Sequence, residues 1–251
     1  MPSNKILQHQ LLEVELNGKI SEKRAVQFTL ITQQGYPSVI ASLYFPFDAK
    51  DGKKGEKIKV YLTDKEKRDV YFTGTVFETA IEDRYRKLIV TDSYYKLCCT
   101  PFTAAYRKEK ASVIIDDILQ AAGITEKSVS VPDVELARFS PQTLPANRIL
   151  DILIDALKEH GTKDLVYFFD ENNCFHFGTK KDTGKNKGSS FSFDHKKTIL
   201  SRGKDWIEVL PAPIRHSMKI SVDGSSFETI RTELTVREKA SRLFLHIREA
   251  Q

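Results

Sequence analysis

The sequence predicts an α+β fold that is predominantly β, with two β modules separated by a short two-helix segment. Three observations carry this. Apolar and polar residues alternate with period two toward both ends of the chain, the middle switches to helical spacing, and the spacers between strands carry turn chemistry.

Leu12–Leu16 alternates and then meets Asn17-Gly18, a strong signal for a two-residue hairpin turn. Val26–Leu30 alternates again, and further strands are expected at Val39–Phe45, Ile58–Leu62, Val70–Phe77 and Leu88–Asp92. Gly35-Tyr36-Pro37 and the tip Asp51-Gly52-Lys53-Lys54-Gly55 supply turns between them. Many short strands joined by polar turns suggest a small barrel or a sandwich.

The period then changes. Ser112 is expected to cap a helix in which Ile114, Ile115, Ile118, Leu119 and Ala122 form one stripe, with Gly123 as its stop. A second helix is expected from about Asn147, with Ile149, Leu150, Leu153, Ile154 and Leu157 on one face. Lys158 and His160 stand in its last turn, where cations suit the helix dipole, and Gly161 ends it. Pro132, Pro141 and Pro145 mark an extended segment between the helices.

After Gly161 the pattern returns to β. Val166–Phe169 and Cys174–Phe177 flank the turn Asp170–Asn173 as a hairpin, and a hydrophilic loop follows from Gly178 to Ser190. Trp206–Leu210, Met218–Val222, Phe227–Leu234 and Leu243–Ile247 read as strands, with an Asp223-Gly224 turn. Residues 1–105 are thus expected to form a first β module, 106–162 an α-helical insert and 163–251 a second β module.

Composition excludes several classes. The 251 residues include only 12 glycines and 9 prolines, with 40% hydrophobic residues, so wholesale disorder and collagen-like behaviour are ruled out. The longest strictly apolar run, Leu165–Phe169, falls far short of the roughly 20 residues that a membrane-spanning helix needs. Met1-Pro2-Ser3-Asn4-Lys5 leads into no apolar signal-peptide core, so synthesis and folding in the cytoplasm are expected. Three cysteines, Cys98, Cys99 and Cys174, argue against a disulfide scaffold.

No catalytic or cofactor motif emerges. The loop from Gly178 to Asn186 resembles a phosphate loop only superficially, because its glycines are misspaced and Asn186 stands where Ser or Thr is required. Cys98 and Cys99 are read on opposite faces of a strand; Cys174 and His176 share a face, but two ligands make no structural zinc site. No Gly-x-Ser-x-Gly elbow or His-Glu-x-x-His helix is present. The pairs Asp116/Asp117 and Asp170/Glu171 read as solvated charge, and the six histidines are scattered. No enzyme, no cofactor and no metal site is expected.

At the end of the first β module the string becomes recognisable. Val70-Tyr-Phe72-Thr-Gly74-Thr-Val76, followed by Leu88 through Asp92 to Leu97, resembles the F-x-G-x-V … D-x-x-x-x-L passage of bacteriophage tail hub proteins. Tyr106, Ser112-Val-Ile-Ile-Asp-Asp-Ile-Leu and Gly123-Ile124 are similar to the next run of that family. So are Leu150 through Gly161, Tyr167-Phe-Phe-Asp and Phe175-His-Phe177-Gly178. Leu210 through Ile220, Asp223-Gly224 and Phe227 resemble its last β module. The family comprises late control protein D, Mu-like baseplate hubs and the N-terminal hub region of type VI secretion spike proteins.

The resemblance implies two small β-barrel modules per chain and a homotrimer whose six modules form a pseudo-hexameric ring. Such a ring acts as a symmetry adaptor, joining a six-fold tail tube to a three-fold spike in a phage tail, prophage or contractile injection system. It further implies a virion structural protein of the baseplate, assembled in the bacterial cytoplasm. Its partners would be a tube or distal tube protein, a separate spike protein and a tape-measure protein, because the chain carries no spike extension. No catalytic residue is implied.

Two lysine-rich tips are candidate interface or lumen loops: Lys53, Lys54 and Lys57 in one, and Lys180, Lys181, Lys185 and Lys187 in the other. Phe72, Phe77 and Tyr94 are candidates for core packing or for an interface. The competing reading is a β-rich nucleic-acid-binding protein, to which the net charge of +5 and the aromatic content point. It is disfavoured because Val70–Phe77, the best aromatic strand, contains no basic residue. No sequence-specific nucleic-acid contact is expected.

Overall fold

Alternation becomes strand and the helical stripes become helix in the computed structural model, which describes residues 11–34, 36–48, 52–63, 68–180, 182–183, 191–237 and 240–250. Strands account for 53% of the chain, so the fold is predominantly β with few helices. The chain divides into two compact units, residues 1–92 with 189–251, and residues 93–188.

The first unit begins with β1 (Leu11–Leu16), β2 (Lys19–Ile20), β3 (Gln27–Gln33), β4 (Tyr36–Pro46), β5 (Lys57–Thr63), β6 (Arg68–Glu82) and β7 (Tyr85–Thr91). The second unit is continuous. It comprises α1 (Tyr94–Cys99), β8 (Pro101–Phe102), β9 (Tyr106–Lys110), α2 (Ala111–Ala121), β10 (Lys127–Ser130), β11 (Glu135–Phe139), β12 (Leu144–Pro145), α3 (Ala146–Glu159), β13 (Leu165–Phe169) and β14 (Phe175–Thr179). The chain then returns to the first unit with β15 (Phe191–Phe193), β16 (Ile199–Arg202), β17 (Trp206–Val209), β18 (Lys219–Val222), β19 (Ser225–Arg237) and β20 (Ser241–Glu249).

The first unit is a 13-stranded sheet ordered β16-β17-β20-β19-β3-β4-β7-β6-β5-β1-β2, with β18 beside one end of β19 and β15 beside β18. Its seam is β19. One edge pairs with β20, while the other pairs first with β18 and then, from Arg231 to Arg237, with β3. The buried hydroxyls of Thr32 and Thr232 hydrogen-bond across that seam at 2.7 Å. Phe28, Leu43, Val60, Phe72, Leu88, Ile207, Leu234 and Leu245 lie in one shared core.

This differs from the three consecutive segments expected from the sequence. The first and last parts of the chain share one sheet and one core, so they are not separate modules. β13 and β14 belong with the helices, because Leu165, Tyr167, Phe169, Phe175 and Phe177 join the core built by Ile114, Ile118, Leu150 and Leu153. Among the described residues the strand path runs open from β16 to β2, so the sheet is not a closed barrel.

Local chemistry explains most elements. Asn17 and Gly18 both take positive φ, as the tight β1–β2 turn requires. Both long helices end in the same way. Gly123 has φ +63°, with Gly123 N–H on the Gln120 carbonyl and Ile124 N–H on the Leu119 carbonyl; Gly161 and Thr162 repeat this on Lys158 and Leu157. These are paired Schellman closures, which a left-handed glycine permits. The expected cap at Ser112 does not form: Ser112 lies inside α2, which begins at Ala111, and its N-cap Lys110 makes no side-chain cap bond. Cys98 and Cys99 close α1 rather than lying on a strand, since Tyr94 and Leu97 turn inward at helical spacing.

Candidate interaction surfaces

In the first unit, the basic tip and one of the aromatic candidates come together. Gly52 and Gly55 adopt φ of +86° and +89°, and the Glu56 carboxylate accepts the backbone N–H of Lys53 at 2.9 Å, which closes the turn. Lys53, Lys54 and Lys57 are all exposed. Phe77 sits at a register irregularity between Val76 and Glu78, where the extra residue re-aims the side chain. The Lys54 ammonium lies 5.6 Å from its ring centroid, a cation–π distance.

The other aromatic candidates spend their surface internally. Phe72 is 1% exposed within the sheet core. Tyr94 lies in the core of the second unit, where its hydroxyl accepts a hydrogen bond from Asn147 Nδ2 at 3.0 Å. Lys180 follows β14, and its backbone N–H donates to the Asp164 carbonyl at 3.1 Å. Lys181, Lys185 and Lys187 lie outside the described residues.

A surface that the sequence reading did not single out lies on the outer face of the β3–β4–β7 strands. Thr29, Ile31, Ile40, Ser42, Lys87 and Ile89 line a shallow trough there, and Ile40 remains 57% exposed. On the same sheet Trp206 and Phe244 lie 5.7 Å apart, flanked by the Arg242–Glu208 ion pair at 3.0 Å. The alternation that marked these strands also designated their outer residues. It did not show which outer residues become neighbours.

In the second unit the hairpin turn is built around Asp170. Its Oδ1 accepts the backbone N–H of Asn172 and of Cys174, each at 2.9 Å, and its Oδ2 lies 3.0 Å from His176 Nε2. Burial pushes the Asp170 carboxyl upward. Its hydrogen bonds from His176 and from the Cys174 and Asn172 amides outweigh that and hold it below the ordinary carboxylate value. Burial pushes the Cys174 thiol up, and the charges of Asp170 and Glu126 add to this. The acidic pair on α2 is engaged as well: Asp116 pairs with Lys127 at 2.6 Å, and Asp117 accepts the Tyr106 hydroxyl at 2.9 Å.

A strand-rich unit assembled from both chain ends, with a continuous helix-bearing unit between them, defines the class: this is the fold of phage tail proteins and type VI secretion spike-related proteins. The 43 kDa tail protein of prophage MuSo2 from Shewanella oneidensis matches with a TM-score of 0.71 at 10% identity, over 96% of this chain and 98% of that one. The tail protein from Neisseria meningitidis MC58 matches at 0.74 and 8% identity, over 96% of each chain. The E. coli c3393 protein, a component of the type VI secretion system described as structurally similar to the T4 bacteriophage tail proteins gp27 and gp5, matches at 0.67 and 9% identity, over 95% of this chain and 77% of that one. No protein-family model and no curated protein sequence matches the chain.

Proposed function

We propose that this protein is a non-enzymatic structural hub of a phage tail or related contractile injection system. The observation that carries the proposal is the end-to-end overlap with a prophage tail protein, 96% of one chain on 98% of the other. A likeness confined to one unit would support only a shared module; one covering both units supports a shared architectural role.

In this reading three copies assemble, and the single sheet unit of each presents two groups of strands to the ring, β1–β7 and β15–β20, joined by the β3–β19 pairing. Six such strand groups in a three-fold assembly supply the pseudo-six-fold ring that a six-fold tube can seat on, while the three-fold axis accepts a spike. Exposed apolar residues on the sheet unit, including Ile40, Phe47 and Ile81 at 57%, 60% and 66%, supply surface that association would cover. A chain in the Francisella PdpA–VgrG complex has the same fold over 98% of this chain, which supports partnership with a spike protein. A tube protein and a tape-measure protein complete the set of partners. The place of action is the virion tail, reached by assembly in the bacterial cytoplasm.

The test is solution mass by light scattering or sedimentation, alone and with the neighbouring tube and spike proteins. A trimer, or a complex containing three copies, is expected. A strict monomer at tens of micromolar in the presence of both partners overturns the proposal. Replacing Lys53, Lys54 and Lys57 with glutamine tests the basic tip separately: tube or spike association should weaken, and unchanged association removes that tip from the interface.

A further inference from the structure

The turn of the β13–β14 hairpin collects three different donor types. Asp170, Cys174 and His176 offer a carboxylate oxygen, a thiol sulfur and an imidazole nitrogen, and these ligand atoms all lie within 4.8 Å of one another. We propose that this hairpin is a transition-metal site of the zinc or cobalt class, with Asp170, Cys174 and His176 as its ligands and water in a fourth position.

The backbone places the donors. The Asp170 N–H bonds to the Cys174 carbonyl at 3.0 Å, which closes the turn and sets the two residues side by side. His176 follows Cys174 by two residues and therefore shares its face of the strand. The imidazole is held by stacking on Phe168, its cross-strand partner, at 5.1 Å between centroids and 13° between planes. Asp170 Oδ1 is committed to the turn amides, which leaves Oδ2 directed at His176 Nε2.

The turn is also pinned from outside. Asn173, at φ +63°, donates from Nδ2 to Ser93 Oγ at 2.9 Å and accepts the Ser93 N–H at 2.8 Å. The ligands thus stand on a braced loop, and a braced loop loses little freedom on binding. Glu126 and Glu171 add negative charge beside the donors, whereas Lys127, the nearby cation in sequence, is engaged by Asp116 at 2.6 Å.

The donor set selects the metal. Sulfur and imidazole together favour zinc-like ions over magnesium or calcium, which prefer all-oxygen shells. Metal–ligand bonds of about 2.0–2.3 Å place tetrahedral ligands roughly 3.5 Å apart, so side-chain rotations of about 1 Å close the site. On binding, the Cys174 S–H bond breaks, a sulfur–metal bond forms and one proton leaves to solvent. The Nε2–H bond that serves Asp170 Oδ2 also breaks, its proton going to solvent while the ring takes one up at Nδ1, so the Oδ2–Nε2 hydrogen bond is replaced by two metal–ligand bonds and no electron is transferred.

The test titrates the untagged full-length chain with Co²⁺ under a non-thiol reductant. One equivalent per chain is expected, with a near-ultraviolet thiolate-to-cobalt charge-transfer band and the visible bands of tetrahedral cobalt, both lost when Zn²⁺ is added. Cys174→Ser should abolish the charge-transfer band, while Cys98→Ser with Cys99→Ser should keep it. His176→Gln should weaken binding by more than the roughly 10–100-fold that loss of an outer-shell partner costs. Zn²⁺ should raise the melting temperature of the native chain and leave that of Cys174→Ser unchanged. Cys174 is the decisive position because its sulfur makes only a weak 3.8 Å contact to the Phe175 carbonyl, so its replacement leaves the Asp170 turn intact. Absence of a charge-transfer band at millimolar Co²⁺, or its persistence in Cys174→Ser, overturns the proposal.

Discussion

Residues 93–188 close a core within one continuous stretch, whereas the sheet unit needs both ends of the chain before β3 meets β19. The difference lies in what each stretch must find. α2, α3 and the β13–β14 hairpin bury stripes that are already adjacent or nearly so along the sequence. β3 finds its partner strand some 200 residues away, where Thr32 bonds Thr232. Local closure costs little loop entropy, and distant pairing must be repaid by a large shared core. The sheet unit has that core, from Phe28 through Leu245.

Cutting the chain should separate the two units most sharply. A polypeptide of residues 93–188 should fold alone, with dispersed amide resonances and a cooperative melt. A polypeptide of residues 1–92 should not, because β3 loses β19 along most of its length. A folded 1–92 fragment beside an unfolded 93–188 fragment would reverse the argument.

Next come core deletions. Phe28 and Leu153 are each fully buried, one in each unit. Phe28→Ala should cost about 3–5 kcal/mol and Leu153→Ala about 2–5 kcal/mol in denaturant unfolding. Hydrogen exchange should assign the loosened amides to the sheet for the first variant and to the helices for the second.

Two glycines extend the contrast at a smaller scale. A Cβ at Gly74 would stand 2.3 Å from the Thr91 carbonyl oxygen, and one at Gly178 would stand 2.6 Å from that of Ser130. Both are close backbone approaches within a sheet, the first antiparallel in the strand-rich unit and the second at a parallel pair. Gly74→Ala and Gly178→Ala should each cost about 1–3 kcal/mol by chemical denaturation. Wild-type stability in either variant would show that the strands can part.

The second unit should also respond to alkali. Burial raises the Tyr167 phenol, and Tyr94 and Asp151 beside it raise it further. A raised folded value means that the unfolded chain ionises first. The stabilising contribution is therefore complete below about pH 10 and is lost as pH climbs through the raised folded value. Melting curves from pH 8 to 11 should fall for the native chain and flatten in Tyr167→Phe. The smallest effect belongs to the surface: Asp116→Asn removes the Lys127 pair and should change stability by less than about 1 kcal/mol.

Most strands were legible, because alternation is a local property that a half-buried sheet enforces. α1 was missed: Tyr94-Tyr95-Lys96-Leu97-Cys98-Cys99 is too short to show a helical period, and its β-branched-free but aromatic composition sends a mixed signal. The short strands β15 and β16 were missed for the same want of length. Phe72, Gly74 and Val76, which carried part of the family resemblance, proved to be one inward-facing row of β6. The donor group at the β13–β14 hairpin was half legible. Cys174 and His176 share a strand face by spacing alone, but Asp170 joins them only through the turn geometry.

The amino-acid pattern was enough to locate the longer strands and the stops of α2 and α3, since periodicity and the left-handed glycines at 123 and 161 act over a few residues. Which strands become neighbours is set only when the chain is folded. Backbone hydrogen bonds are chemically alike in every strand, so pairing β19 with β3, and thereby drawing the last sixty residues into the first unit, depends on how the buried faces fit together.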